Sequence, residues 1–197
     1  MINYPNGKKR NSQTIKIDGK HNTRRRGMKL EDDINDSNKY YLSREIAVIH
    51  KKPTPIQIVK VDYPKRQAAR IVEAYFKTPS TTDYNGIYKG RYIDFEAKET
   101  KTKFFPLANI SKHQIDHLNS IVKQNGIAFV IIAFISINEV YLVDAKFMID
   151  QFYHGDKKRI NYDEIVENGY LIKLGYTPRL DYLEIVNDIY LGGTSNE

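Results

Sequence analysis

Cysteine is absent from this 197-residue chain. Disulfides and thiolate metal sites are thereby excluded, and a reducing, cytoplasmic setting is the expected one. Long hydrophobic runs are absent too. The longest, Ile127 to Ile135, falls well short of the roughly 20 apolar residues that span a bilayer. No apolar h-region follows Met1, so neither a secretory leader nor a membrane partner is expected. There is no P-loop, no glycine-rich dinucleotide fingerprint and no nucleophile elbow, which argues against nucleotide hydrolysis and redox chemistry. Acidic residues are scarce in one place: within residues 1–29, Asp18 alone stands against nine lysines and arginines. That segment carries +8 in a chain whose net charge is +7, which leaves −1 on residues 30–197. It is also poor in apolar residues. Residues 1–29 therefore read as a flexible basic arm suited to a polyanion, nucleic acid first. A solubilising tail is the plainer alternative.

The chain is 41% hydrophobic and 28% charged, enough apolar material for residues 30–197 to fold as one domain. Leu30 to Tyr41 reads as a helix, with Leu30, Ile34 and Tyr41 near one face and Glu31, Asp32, Asp33 and Asp36 in its first turns, where the helix dipole favours carboxylates. Glu45 to Ile49 suits a short strand. Pro53 and Pro55 interrupt it, as no central strand continues through two prolines. Ile56 to Ile58 and Val59 to Tyr63 alternate out of phase, which predicts a bulge near Ile58 and Val59. Lys65 to Phe76 reads as helical, so about 51–76 looks like an insertion between core strands. Residues 80–98 read as a hairpin with Asn85-Gly86 as its turn. Ser111 to Gln124 is a helix with Ser111 as N-cap. Ile127 to Phe134 is a strand covered on both faces, and Glu139 to Val143 follows it. Ala145 to Tyr153 reads as a helix, and Pro178 opens a last helix ended by Gly192-Gly193. This order predicts an α/β fold with a small mixed sheet and helices on both faces.

The chemistry concentrates between Thr81 and Lys98. Side chains alternate along a strand, so Ile93, Phe95 and Ala97 face a core while Tyr92, Asp94, Glu96 and Lys98 share the other face. Glu96 and Lys98 then lie roughly 7 Å apart. Asp83 sits across the hairpin, where its carboxylate can meet that of Glu96. Mg²⁺ prefers oxygen ligands and keeps several waters, so two carboxylates suffice, with a hydroxyl or carbonyl at Thr81 completing the protein side. Such a cation lowers the pKa of a water and offsets phosphate charge. Lys98 can orient the attacking water or stabilise developing charge, and the Gln114 amide can orient a water. A solvated strand face is the plainer reading of Glu-x-Lys. His113 and His117, four apart on a helix, lack a third zinc ligand and read as surface or nucleic-acid-facing groups. Glu31 is either an accessory carboxylate or a dipole-complementing one. Tyr84 and Tyr88 are candidates for stacking on bases.

Several long motifs carry a resemblance. They are Met1 to Lys8, Arg26 to Asp33, His50 to Pro55, Tyr63 to Arg66, Thr81 to Thr100 and Leu174 to Tyr182. Together they resemble the RecU family of Holliday junction resolvases, over essentially the whole chain. The resemblance implies a restriction-endonuclease-like PD-(D/E)xK fold: a mixed β-sheet flanked by helices, with a protruding stalk at about 51–76 and the basic arm at 1–29. It implies Asp83, Glu96 and Lys98 as catalytic residues. It also implies Mg²⁺, with Mn²⁺ able to substitute, held at Thr81, Asp83, Glu96 and Gln114. One departure is visible: Thr82 precedes Asp83 where the superfamily pattern has Pro, and Thr82 competes with Thr81 as the hydroxyl at the metal. The implied enzyme is a homodimeric endodeoxyribonuclease that nicks opposed strands of a four-way DNA junction during recombination and repair. Recombinase and branch-migration proteins are its implied partners. Arg24, Arg25, Arg26, Lys51, Lys52, Lys65, Arg66 and Arg70 are the candidate DNA contacts of arm and stalk. A non-catalytic junction-binding protein that modulates a recombinase is the alternative.

Overall fold

The computed structural model describes residues 30–77 and 81–192. The basic arm, with Arg24, Arg25 and Arg26, lies outside the described residues. Leu30–Ser43 form helix α1, which lays Leu30, Ile34 and Tyr41 against the sheet. Ala47–Lys51 form β1, Tyr84–Tyr88 β4 and Arg91–Thr100 β5, with β2 (Ile56–Asp62) and β3 (Arg70–Phe76) inserted between β1 and β4. Lys112–Lys123 form α2, which carries the chain over to β7 (Ile127–Phe134), the parallel neighbour of β5. A parallel pair requires such a crossover. After β8 (Glu139–Asp144) come α3 (Ala145–His154), α4 (Tyr162–Asn168), β10 (Gly169–Leu171) and α5 (Tyr182–Tyr190). Two three-residue strands, β6 (Phe104–Pro106) and β9 (Arg159–Asn161), pair apart from the main sheet.

The main sheet runs β1-β4-β5-β7-β8-β10, and only the β5–β7 pair in it is parallel. All eight residues of β7 are buried, because helices cover both faces. On one face α1 and α5 pack with Ile93, Phe95, Phe129 and Ile131. On the other, Ile115 and Leu118 of α2, Ala145 and Met148 of α3 and Ile165 of α4 pack with Val130 and Ile132. This is the expected mixed α/β architecture. No helix among the described residues is long and apolar enough to cross a membrane.

Four local expectations change. Residues 70–76 form a strand, not a helix: β2 and β3 pair into an antiparallel ribbon. The ribbon has no core against which a helix could bury an apolar stripe, and Ile71, Val72, Tyr75 and Phe76 favour the extended state. The expected irregularity in β2 is present, as register shifts on either side of Lys60. The hairpin turn falls at Lys89-Gly90, both at positive φ (47° and 75°), not at Asn85-Gly86. Gly86 sits inside β4 instead, where a Cβ would lie 2.0 Å from the Val48 carbonyl oxygen of β1. The last helix begins at Tyr182 and not at Pro178, because Leu174 bridges Leu180 and the Gly175 amide donates to the Arg179 carbonyl at 2.9 Å, forming a loop first. Finally, Tyr84 and Tyr88 are core residues. Tyr84 stacks on Phe95 with ring centroids 4.9 Å apart, so neither is free to stack on a base.

Candidate active site

The β4–β5 hairpin brings Asp83 to Glu96. Tyr84 pairs with Phe95, so Asp83, one residue before β4, falls opposite Glu96. Its backbone amide donates to Glu96 Oε2 at 3.1 Å. Lys98 follows two residues later on the same face, and its Nζ lies 2.8 Å from Glu96 Oε1. The three residues expected from sequence to be catalytic are therefore adjacent. The face they share is not a solvated one. Asp94 and Glu96 are wholly buried on the α2 side of the sheet, which argues against the plainer reading of Glu-x-Lys.

Burial pushes the Glu96 carboxyl up to about 7, the Asp83 carboxyl beside it adds to the rise, and Lys98 opposes it. Removing a carboxylate from water disfavours its charged form, and a second acid alongside does the same. Glu96 Oε1 is buried, and Lys98 at ion-pair distance is its one close polar neighbour among the described residues. That oxygen keeps unmet acceptor capacity. An opening of about 260 Å³ lies beside the pair, lined by Leu30, Glu31, Asp83, Tyr84, Ala97, Lys98 and Glu99. Glu99 Oε1 accepts from the Leu30 amide at 2.6 Å, and Glu31 on the rim pairs with Lys51 at 2.6 Å. Glu31 thus does line the cleft, and the first turn of α1 is one of its walls.

The other expected ligands are placed less simply. Thr82 donates its hydroxyl to Asp94, so it is turned away from Glu96, while Thr81 is half-buried and bonds only weakly to the Thr82 carbonyl, at 3.4 Å. Of the two hydroxyls, that of Thr81 is the less committed. Gln114 Oε1 accepts from the Ser111 amide and hydroxyl, both at 3.0 Å, and so closes the cap of α2. Among the described residues no hydrogen bond joins Gln114 to Thr81, Asp83 or Glu96. Nor, among those residues, is any group of three or more His, Asp or Glu side chains gathered as a metal cage.

The stalk candidates divide. Lys65 and Arg70 are exposed on the ribbon, and Arg66 lies in the single 3₁₀ turn joining its strands. Lys51 is half-exposed and paired to Glu31. Lys52 differs from the solvent-facing DNA contact expected of it: its side chain is 19% exposed, and its ammonium lies 2.8 Å from Asp94 Oδ2. Sequence reasoning placed Asp94 on the polar face but gave it no part, and gave His117 to the surface, whereas His117 Nε2 lies 3.2 Å from Asp94. The signal was strand alternation, which puts Asp94 beside Glu96. What it did not show was that His117 of α2 closes over Asp94.

Fold and site together define a mixed α/β domain in which Glu96 and Lys98 on β5 meet Asp83 just before β4. The family described as Recombination protein U matches residues 25–188. The chain belongs to that family. Among its relatives, the protein of Bacillus thuringiensis (strain Al Hakam) named Holliday junction resolvase RecU is 55% identical over 197 residues, covering 96% of this chain and 98% of its own. The Bacillus anthracis protein of the same name is 55% identical over 196 residues with the same coverage. A solved structure of Archaeoglobus fulgidus Hjc, a Holliday junction resolvase from an archaeal hyperthermophile, aligns at 14% identity with a TM-score of 0.36 over 51% of this chain and 77% of that one. So slight a likeness carries no argument about this chain's chemistry.

Proposed function

We propose that this protein is a metal-dependent endodeoxyribonuclease that resolves four-way DNA junctions in recombination and repair. One observation carries the reading: Asp83, Glu96 and Lys98 meet beside an open cleft, in a chain 55% identical over nearly its whole length to relatives named as junction resolvases. The residues fit a hard divalent cation. Two carboxyl groups stand side by side, and the buried Glu96 Oε1, faced by Lys98 alone, has a second lone pair to offer. A cation that keeps most of its waters needs no more than one or two carboxylates, so Mg²⁺ suits the site, with Mn²⁺ as substitute. Asp83 and Glu96 would hold it, and Thr81 and Gln114 are the further candidates by resemblance. When bound, such an ion activates water and offsets charge on a phosphodiester.

The chain's own residues supply the rest. Lys98 favours the charged form of Glu96 and places an ammonium where phosphate charge grows in the transition state. The Asp83 amide donates to Glu96 Oε2, and buried Ile93 and Phe95 anchor β5 from its opposite face. Exposed Lys65 and Arg70 on the ribbon suit backbone phosphates, and a shape-selective enzyme needs no base contacts. A homodimer would match the near two-fold symmetry of a four-way junction and nick opposed strands symmetrically. Recombinase and branch-migration proteins are its proposed partners.

The decisive assay incubates the protein with a four-way junction and Mg²⁺, beside linear duplex and a chelated control. Asp83→Asn and Glu96→Gln are expected to bind the junction without cutting it. Cutting by both variants at the wild-type rate would reject the catalytic assignment. A wild-type protein that binds junctions but never cuts them would favour the non-catalytic, recombinase-modulating alternative.

A further inference from the structure

Asp94 is not one of the cutting residues, yet it is wholly buried two residues before Glu96 on the same face of β5. Four side chains converge on its carboxylate. Lys52 Nζ and Tyr92 OH reach Oδ2 at 2.8 Å each, His117 Nε2 reaches it at 3.2 Å, and the Thr82 hydroxyl donates to Oδ1. Lys52 Nζ also lies 3.1 Å from Thr82 Oγ1. The Lys52 backbone amide donates to the Asp83 carbonyl at 2.7 Å. Asp83 in turn donates its amide to Glu96 Oε2. The peptide units on both sides of Asp83 are therefore gripped. One is held through Thr82 by Asp94 and Lys52, the other through its carbonyl by Lys52 again.

A buried ion pair is a poor way to add stability, since desolvation consumes most of the attraction. It is an effective way to select one geometry, because a displaced partner leaves a bare charge inside the protein. A catalytic constellation must hold its reacting groups to a fraction of an ångström, which requires such second supports. Lys52 is also the first residue after β1, where the chain leaves the sheet for the ribbon.

We infer that Lys52 and Asp94 are positioning residues: their buried pair, bridged by Thr82, sets the placement of Asp83 against Glu96 and ties that placement to the root of the stalk. Lys52 acts through Asp83 and not by touching DNA. The inference rests on the reading of Asp83 and Glu96 as the cutting centre.

The test uses the full-length protein and four measurements: single-turnover cleavage of a four-way junction, the Mg²⁺ concentration giving half-maximal cleavage, junction affinity without Mg²⁺ at two salt concentrations, and the melting temperature. Asp83→Asn is the reference. Lys52→Met is expected to slow cleavage by about tenfold or more, and to raise the half-maximal Mg²⁺ concentration about threefold. Junction affinity and its salt slope stay unchanged, and Lys52→Arg recovers most of the rate. Thr82→Val, which removes the bridging hydroxyl without stranding a charge, shifts the same two quantities and serves if Lys52→Met does not fold. Lys52→Met combined with Asp94→Asn recovers the melting temperature but not the rate. Three results overturn the inference: wild-type cleavage by Lys52→Met and Thr82→Val, a rate loss that follows weaker binding with a shallower salt slope, or a rate restored in the double variant. Wild-type cleavage by Asp83→Asn instead overturns the parent reading, and this one with it.

Discussion

Phe95 and Glu96 are neighbours on β5 and both are wholly buried, on opposite faces of the sheet. The first anchors an aromatic stack, Tyr84 to Phe95 to Phe129, with centroids 4.9 and 4.7 Å apart. The second is a buried acid held between the Asp83 amide and the Lys98 ammonium. One peptide bond thus joins a group that holds the fold to a group that strains it. Phe95→Ala removes the middle ring of the stack and leaves a cavity, with an expected loss of about 3–5 kcal/mol in urea unfolding. A loss below about 1 kcal/mol would show that the stack is not a principal support.

Glu96→Gln has the opposite sign when no metal is present. The folded carboxyl titrates near 7, above its ordinary 4.5, so between those pH values the native state binds more protons than the unfolded one. Stability from this group is full below about 4.5 and is lost as pH rises through 7. Metal-free wild type should therefore weaken relative to Glu96→Gln from pH 5 to pH 8, by on the order of 2 kcal/mol. Parallel pH profiles in thermal melts with chelator would contradict this.

Divalent metal should reverse that weakness. A cation at Asp83 and Glu96 competes with the proton that Glu96 takes up, so binding tightens with rising pH. Mg²⁺ is expected to raise the melting temperature of wild type more at pH 8 than at pH 6, and to leave Asp83→Asn and Glu96→Gln nearly unmoved. Stabilisation reaches about 2.7 kcal/mol at a hundred times the dissociation constant. Calorimetric titration at the two pH values, with proton release measured from the buffer dependence, checks it.

The ribbon should be dispensable for folding and needed for binding. Every residue of β3 is exposed, and the strand pairs only with β2. Replacing Lys65 and Arg70 by Gln is expected to leave the melting temperature within about 2 °C. Junction affinity should fall, and the log–log salt slope should shrink by about 0.9 for each phosphate no longer neutralised. Unchanged binding across a salt titration would remove the ribbon from the DNA surface.

How much of the fold and site was legible in the sequence depended on whether a residue's neighbours were near in the chain. Strand alternation correctly put Phe95 in a core, and the unbroken apolar run from Ile127 correctly predicted a strand covered on both faces. Ser111 was recognisable as a cap because its partner Gln114 is three residues away. Residues 70–76 misled because their apolar spacing fits a helix as well as a strand, and only the pairing with β2 decides. The turn at Lys89-Gly90 lost to Asn85-Gly86, the stronger local signal, since the real use of Gly86 is a close approach to β1. The adjacency of Asp83, Glu96 and Lys98 was legible from hairpin pairing and strand alternation. The Lys52–Asp94 pair was not, because it spans 42 positions and depends on a helix that roofs it.

Gly86 matters at a distance from its own strand. With a Cβ in its place, the Val48 carbonyl 2.0 Å away would have to retreat, and β1 would peel from β4. β1 ends at Lys51, and its continuation through Lys52 is the footing of the ribbon. The ribbon proposed to meet DNA is thus mounted on the body through a strand contact too close to admit one methyl group. A mutation there would change no charged residue, yet it would shift Lys52 and the Asp83 carbonyl that its amide holds.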